Sequence, residues 1–404
     1  MTKEFLRIPV LVAALGYLVD MYDLFLFSIV RIPSLKDLGL SGDDILKNGV
    51  WLLNLQMAGL LVGGIVWGIL GDKKGRLSVL FGSILIYSLA NIANGFAGSL
   101  GMYAVLRFIA GFGLAGELGA GITLVTEILP NRIRGYGTTL VATLGLLGAL
   151  LAYLVSFLFS WRVSYIIGGC LGLLLMISRI RVFESGIFTQ LKEKHIRKGD
   201  LRMLFASKTR FIKYISSIVI GMPIWFITGV IITFSPEFGK AMGIDQPLDA
   251  GKAVLLAFSG QVLGNIVSGT LSQYFQSRKK VILLFMLSSL VFMLIYLLVP
   301  IHHTNLLYIL CVCMGFGNGY WTLFITVAAE LFGTNLRATV ATTVPNFVRG
   351  TVILLTSFFV LMRGSFGMIN SALIVGILTY ALALFAFIYL EETFTKDINF
   401  TESD

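Results

Sequence analysis

Two carboxylates three residues apart, in Asp20-Met-Tyr-Asp23, are the only charged side chains between residues 8 and 30 of this chain. Helical spacing sets Asp23 ~60° round and ~4.5 Å along from Asp20, so both face roughly one way. A carboxylate surrounded by apolar side chains must pair, protonate or face water. Each of these suits a proton carrier, because burial disfavours the charged form and an approaching cation restores it. Three further charges stand in apolar runs: Arg107, Glu117 and Arg349. Arg stays charged at any accessible pH. An Asp–Arg pair between Asp20 or Asp23 and Arg107 is therefore expected, and protonating the acid would free a guanidinium for bidentate hydrogen bonds to an anion. Glu117, ten residues beyond Arg107, lies ~15 Å further along the same helix; it reads either as a second proton site or as part of a static ion network. Arg349, in Pro345-Asn-Phe-Val-Arg349-Gly, has no acidic partner at similar depth in the second half of the chain. It either binds an anionic substrate or pairs across the molecule with an acid such as Asp20.

The elements that position these groups follow from composition. Of 404 residues, 57% are hydrophobic and 13% charged, half the ~25% charged of a typical globular domain. Lipid is the natural solvent, and an ordinary soluble enzyme is excluded. Hydropathy marks spans near 8–30, 50–70, 77–97, 102–128, 138–160, 163–178, 214–234, 252–271, 281–300, 306–329, 339–361 and 367–390, each near the ~20 residues a bilayer requires. With the N-terminus inside, 22 of the 31 Lys and Arg fall on the inner side and 7 on the outer, so both termini are expected in the cytoplasm. In this count Arg31 belongs to an outer loop and Arg179 opens the inner linker. The net charge of +10 is thus a topology signal, and no nucleic-acid partner is expected. The first apolar run is too long for a cleaved signal. Cys170, Cys311 and Cys313 lie in apolar runs without metal or disulfide spacing.

The basic stretch between Arg179 and Lys213 divides the chain into an N-terminal bundle (1–178), a cytoplasmic linker (179–213) and a C-terminal bundle with a short tail (214–404). An internal repeat agrees with the division. Glu127-Ile-Leu-Pro-Asn-Arg-Ile-Arg134 returns 203 residues later as Glu330-Leu-Phe-Gly-Thr-Asn-Leu-Arg337, and two related six-helix halves are a transporter plan. Glu127 with Arg134, and Glu330 with Arg337, read as a set of gating ion pairs at cytoplasmic helix ends.

Three segments carry a family resemblance. Gly68-Ile-Leu-Gly-Asp72-Lys73-Lys74-Gly75-Arg76 resembles the signature G-x-x-x-D-[RK]-x-G-[RK]-[RK] of the major facilitator superfamily, departing only at Leu77. Asp20-Met-Tyr-Asp23 resembles the D-x-[YF]-D pattern of its proton symporters for organic acids, other metabolites and phosphate. Arg107 to Glu117 resembles the R-x-x-x-G-x-x-x-G-G-[ED] segment of the same group. The resemblance implies an all-α membrane protein of twelve helices in two pseudo-symmetric bundles, with alternating access and no enzymatic activity. Asp72 and Arg76 would hold an inner gate. Sugar transport is disfavoured, since Phe183-Glu184-Ser185-Gly186 stands where sugar porters carry P-E-S-P-R.

The expected activity is proton-coupled uptake of a small organic anion or related metabolite. Asp20, Asp23, Arg107 and Glu117 would couple the proton, and Arg349 would bind the anion. Candidate cavity-lining residues are Tyr22, Asn54, Gln56, Trp225, Gln261, Asn265, Asn318, Tyr320 and Trp321. The alternative is proton-antiport export of a drug-like or siderophore-like compound. No cofactor or metal site is expected, the proton gradient being the driving force. The protein is expected to be a monomer in a prokaryotic inner membrane, with protons, lipid and a small carboxylate or other anion as its partners. Walker loops and nucleophile–base motifs are lacking, which disfavours an ATP-driven pump.

Overall fold

The computed structural model describes residues 8–74, 76–117, 131–184, 202–244, 246–301, 303–394 and 402. The described residues are helical and contain no strand. Nine stretches are long and apolar enough to cross a membrane, and two shorter apolar helices, Val79–Asn94 and Leu100–Leu114, accompany them. The last stretch has 50 residues, about 75 Å of helix and more than twice a bilayer's hydrocarbon core. It folds back as two spans at Gly367, whose φ of 74° is open to glycine and strained for most other residues. Twelve spans result.

The first six are Ile8–Asp37, Asp43–Lys74, Arg76–Asn94, Leu100–Leu114, Asn131–Leu158 and Trp161–Glu184. The seventh is Lys208–Phe226, running into a wider π-helical turn, Ile227–Ile232. The eighth and ninth are Ala250–Tyr274 and Arg278–Leu298, and the tenth is Thr304–Gly317 continued by Trp321–Glu330. The eleventh and twelfth make up Thr334–Ile388.

Packing repeats between the halves. The first span packs on the fifth, the second on the fourth and the third on the sixth; the seventh packs on the eleventh, the eighth on the tenth and the ninth on the twelfth. Across the interface the second span meets the eleventh and the fifth meets the eighth, contacts that exchange under a two-fold axis. Small residues permit the close approach, as in other membrane bundles. A Cβ at Gly111 would collide with the backbone carbonyl of Gln56, and one at Gly315 with that of Ala257.

Two expected spans are interrupted, and at related places. The fourth, expected to run unbroken over 102–128, leaves its helix at Leu114 and turns through Ala115 and Gly116, with residues 118–130 outside the described part. The tenth breaks at Asn318–Tyr320, after Gly317. Leu114 and Gly317 are 203 residues apart, the offset of the sequence repeat. Glycines at 111, 113 and 116, and at 315, 317 and 319, weaken the helix at both points. The sixth span runs to Glu184, six residues beyond its expected end.

At one end of the bundle the halves are tied together. Arg31 is fully buried, not in an open loop. It donates to Glu237 at 2.8 Å and to the Thr233 carbonyl at 3.3 Å, and its guanidinium carbon lies 4.6 Å from the Phe234 ring centroid. Thr233 donates to Ser28 at 3.1 Å. Arg363 and Asp43 join the eleventh–twelfth turn to the second span at 2.5 Å.

On the opposite side Glu392 caps the start of the ninth span. Burial works against its charge, but donors from Ser277 Oγ and from the backbone N–H of Arg278, Phe394 and Lys279 outweigh it, holding the carboxyl below the usual glutamate range. A depressed carboxyl contributes stability above its unfolded pKa and loses it as pH falls through the folded one. Glu392→Gln is therefore expected to lower the melting temperature in detergent at pH 7, with the gap to the unmutated protein closing under acid.

Candidate functional site

A buried ion pair joins the halves at mid-depth. Arg349 Nη2 of the eleventh span lies 3.4 Å from Asp20 Oδ2 of the first, and both side chains are fully buried. Of the two readings open for Arg349, this conformation holds the pair with the acid. The guanidinium is not saturated: Nε and Nη1 have no hydrogen-bond partner, nor has Asp20 Oδ1. Two donors of a planar fork thus remain for another acceptor.

Beside the pair is a narrow cavity of about 10 Å³, room for about one water in this conformation. Its wall is aromatic and drawn from both halves: Tyr17, Met21 and Phe25 of the first span, Leu146 of the fifth, Ile224, Trp225 and Thr228 of the seventh, Phe258 and Gln261 of the eighth, and Trp321 of the tenth. Phe25 stacks on Trp225 at 5.8 Å and meets Phe258 at 4.2 Å, while Trp225 and Trp321 sit edge to face at 6.2 Å. Trp321 Nε1 donates to the Tyr17 hydroxyl at 3.1 Å. The Arg349 guanidinium carbon is 5.9 Å from the Trp225 ring centroid, so the cation borders the aromatic wall. Widened by movement of the halves, such a wall would suit a flat apolar body and, at one edge, a carboxylate.

Trp225, Gln261 and Trp321, candidates from the sequence, line this cavity. Tyr17, Phe25 and Phe258 carry no signal in the sequence, since an aromatic residue within a span faces lipid, core or cavity with equal ease.

Arg107 does not pair with either aspartate. It donates to Gln56 Oε1 and, at 3.3 Å, to the Tyr165 hydroxyl, and its guanidinium carbon lies 4.8 Å from the Phe27 ring centroid. Tyr165 in turn meets Tyr103 at 2.8 Å. The expected Asp–Arg107 pair fails because the Gln56 carbonyl oxygen and the two rings take the guanidinium. Both Asp23 oxygens are buried without a partner.

Glu117 has an ionic partner, and it comes from an unexpected place. Arg179 Nη1 donates to Glu117 Oε2 at 3.0 Å and Nη2 to Oε1, a two-pronged pair lying over Gly16. The linker assignment of Arg179 is corrected: because the sixth helix continues past 178, the residue turns back into the bundle and is 1% exposed. Removing one partner of a buried pair costs about 3–5 kcal/mol, whereas replacing both by apolar groups can be nearly neutral. Arg179→Ala should thus unfold at markedly lower denaturant than the unmutated protein, and Glu117→Leu/Arg179→Met should recover most of the loss. Full transport in the double variant would mark the pair as static; lost coupling there would make Glu117 a proton site.

Several lining candidates instead hold helices together. The Tyr22 hydroxyl donates to the Ser164 carbonyl at 2.8 Å. Asn54 Oδ1 accepts from Thr356 at 2.7 Å, linking the second span to the eleventh. Asn265 Oδ1 accepts the Thr322 N–H, Asn318 bridges the Ser289 hydroxyl and the Ile224 carbonyl, and Tyr320 donates to the Ile220 carbonyl. Four of these five satisfy backbone groups: Asn265 takes a backbone N–H just after the tenth-span break, where a lost helical hydrogen bond must be replaced, and Asn318 and Tyr320 tie that break to carbonyls of the seventh span.

Among the gating candidates, Glu330 pairs with Arg278, not with Arg337. Arg337 donates to the Ala329 and Phe332 carbonyls at 3.3 Å, covering the end of the preceding helix. Asp72, Arg76 and Arg134 lie in helices whose side chains fall outside the described part there, as does Glu127 altogether.

A model of the Major Facilitator Superfamily matches residues 13–357. The chain is 33% identical over 178 residues to the niacin transporter NiaP of Acinetobacter baylyi, an alignment covering 43% of this chain and 40% of that one. It is 27% identical over 337 residues to a probable 4-methylmuconolactone transporter of Cupriavidus pinatubonensis, covering 80% and 76%. Among solved structures, the proton:xylose symporter XylE bound to 6-bromo-6-deoxy-D-glucose superposes with a TM-score of 0.73 at 16% identity over 97% of each chain.

Proposed function

The chain belongs to the Major Facilitator Superfamily, and on that premise we propose that it takes up a small ring-bearing carboxylate together with protons. It is an integral multi-pass membrane transporter rather than an enzyme. The observation that carries the substrate class is the half-satisfied Arg349 at the edge of an aromatic cavity. Relatives named for niacin and methylmuconolactone transport support a ring with an acidic group.

In this reading the outer ties close the cavity to the periplasmic side, with both termini in the cytoplasm of a prokaryotic cell. Protonation of Asp20 weakens its hold on Arg349, whose fork then takes the substrate carboxylate while the ring packs among Phe25, Trp225 and Trp321. Asp23, without a partner of its own, receives that proton first and hands it on to Asp20, so one proton accompanies each substrate. Because one charge pair bridges the halves, substrate and proton occupancy both bear on the rocking of one half against the other.

Binding tests the class directly. Trp225 and Trp321 in the cavity wall make intrinsic fluorescence a probe. Nicotinate, benzoate and 3-(3-hydroxyphenyl)propionate are expected to quench it saturably, and nicotinamide, glucose and phosphate are not. Saturable quenching by bulky uncharged compounds alone would favour the exporter reading.

A further inference from the structure

A second polar system lies inside the N-terminal bundle, away from the aromatic cavity. On the third span, Tyr87, Ser88, Asn91 and Asn94 form a stripe at near-helical spacing, and all four are fully buried. Tyr87 OH, Ser88 Oγ and both polar atoms of each asparagine lack any hydrogen-bond partner, as do both oxygens of Asp23. Buried polar groups in folded proteins are satisfied by protein or by ordered water, and an apolar core would serve packing better than six orphaned atoms on one face. Water is the partner such a stripe selects.

Its neighbours place the stripe between two ionisable centres. Gly168 and Gly172, one turn apart on the sixth span, leave it room. A Cβ at Gly168 would stand 2.5 Å from Asp23 Oδ1, and one at Gly172 would collide with Ser88 Oγ. Asp23 and Ser88 thus face adjacent turns of the same glycine ridge, about 6 Å apart along its axis, a separation that one or two waters would bridge beside the Tyr22 ring. Asn91 is the side chain beside Asp23, and Asn94 ends the helix on the outer side. In the other direction Tyr87 packs against Gly113, one turn before Glu117 on the fourth span, and its ring reaches Gly172 on the sixth.

The geometry points to a proton route through the N-terminal bundle itself, in which waters held by Asn94, Asn91, Ser88 and Tyr87 connect the outer side to Asp23 and Asp23 toward Glu117, separately from the substrate's path. Each step passes one proton between a water and a carboxylate or its neighbour, and nothing is oxidised or reduced. Asp20, Arg107, Tyr165 and Arg179 are the other ionisable groups facing this space. The four stripe residues are positioning residues: they hold the waters, and Asp23 holds the proton. The inference rests on the proton-coupled reading above.

The test separates the two. In proteoliposomes, nicotinate counterflow needs no net proton movement, while uphill accumulation does. Asn91→Leu and Ser88→Ala/Asn94→Leu are expected to keep counterflow near that of the unmutated protein, and to lower the rate of proton-driven uptake and the accompanying internal acidification by at least about tenfold. Asn91→Ser, smaller but polar, is expected to restore most of the rate, with a larger slowing in D₂O than the unmutated protein shows. A merely structural role would lower counterflow and uptake together and would leave the D₂O ratio alone. Unchanged proton-driven uptake in both apolar variants would overturn the route while leaving symport intact. Should the apolar variants not fold, Gly168→Ala, which intrudes on the Asp23 water space, must show the same split; equal loss of both activities there, or loss of neither, would also overturn it. Nicotinate uptake without proton entry in the unmutated protein would remove the underlying reading first.

Discussion

Asp23→Asn is expected to abolish accumulation while sparing exchange. For one proton per substrate, a gradient of two pH units supplies about 2.7 kcal/mol, enough for about 100-fold accumulation of a carboxylate carried as a neutral pair. With asparagine the position cannot bind and release a proton, so the internal-to-external ratio should settle at about 1, whereas nicotinate counterflow, which only requires rocking of the loaded carrier, should continue. The side chain is nearly isosteric, and no salt bridge is broken, because neither Asp23 oxygen has a partner to lose. Folding is thus not at risk in the way it is for Asp20, whose removal leaves Arg349 unpaired at full burial. Asp20→Asn is the harsher variant, and lost coupling there is interpretable only with a melting curve beside it. Accumulation of tens-fold in Asp23→Asn would show that the proton is carried elsewhere.

Arg349→Lys is the second large effect. Lysine keeps the charge that Asp20 requires, so the bridge between the halves is retained in kind. It loses the planar fork, and with it one of two charge-assisted hydrogen bonds to a carboxylate. Such a bond contributes roughly 1.5–3 kcal/mol, so the half-saturation concentration for nicotinate should rise by roughly 10- to 150-fold. Binding of the same rings without a carboxylate should change little. An unchanged half-saturation concentration would mean that Arg349 serves only as the partner of Asp20, and that the anion is held by another group.

The positions of charge were legible in the sequence, because an ionisable residue inside an apolar run has few explanations. Asp20, Asp23, Arg107, Glu117 and Arg349 all proved buried, and the repeat of Glu127 in Glu330 foretold the symmetry of helix packing. Their partners were not legible. Depth along a helix can be counted, but rotation about it cannot be fixed when lipid-facing and core-facing sides are both apolar. Arg107 was therefore placed at a suitable depth for Asp23, yet it faces Gln56 and Tyr165. Arg179 was hidden differently: it begins a run of basic residues whose remainder suits a cytoplasmic linker, and only the length of the sixth helix reveals that the first of them turns inward.

The aromatic wall illustrates the same limit. Trp225 and Trp321 attract notice because tryptophan is scarce, with 5 in the chain, but Phe25 and Phe258 are two among 31 phenylalanines. Polar residues mislead in the opposite direction. Asn265, Asn318 and Tyr320 look like ligand contacts in an apolar span, yet Asn318 and Tyr320 bond seventh-span carbonyls and Asn265 meets the demand of the broken tenth span for a partner to the Thr322 N–H. The glycines at 315, 317 and 319 held the available sequence signal for that demand.

Joint movement of a ring-bearing carboxylate and protons is the expected activity. It is tested most directly by recording internal pH and labelled nicotinate in the same proteoliposomes, without any imposed gradient, as substrate is added outside. Coupled entry produces internal acidification that begins with uptake, scales with it and is abolished in Asp23→Asn. Nicotinate entry with no pH change, or with alkalinisation inside, would contradict it.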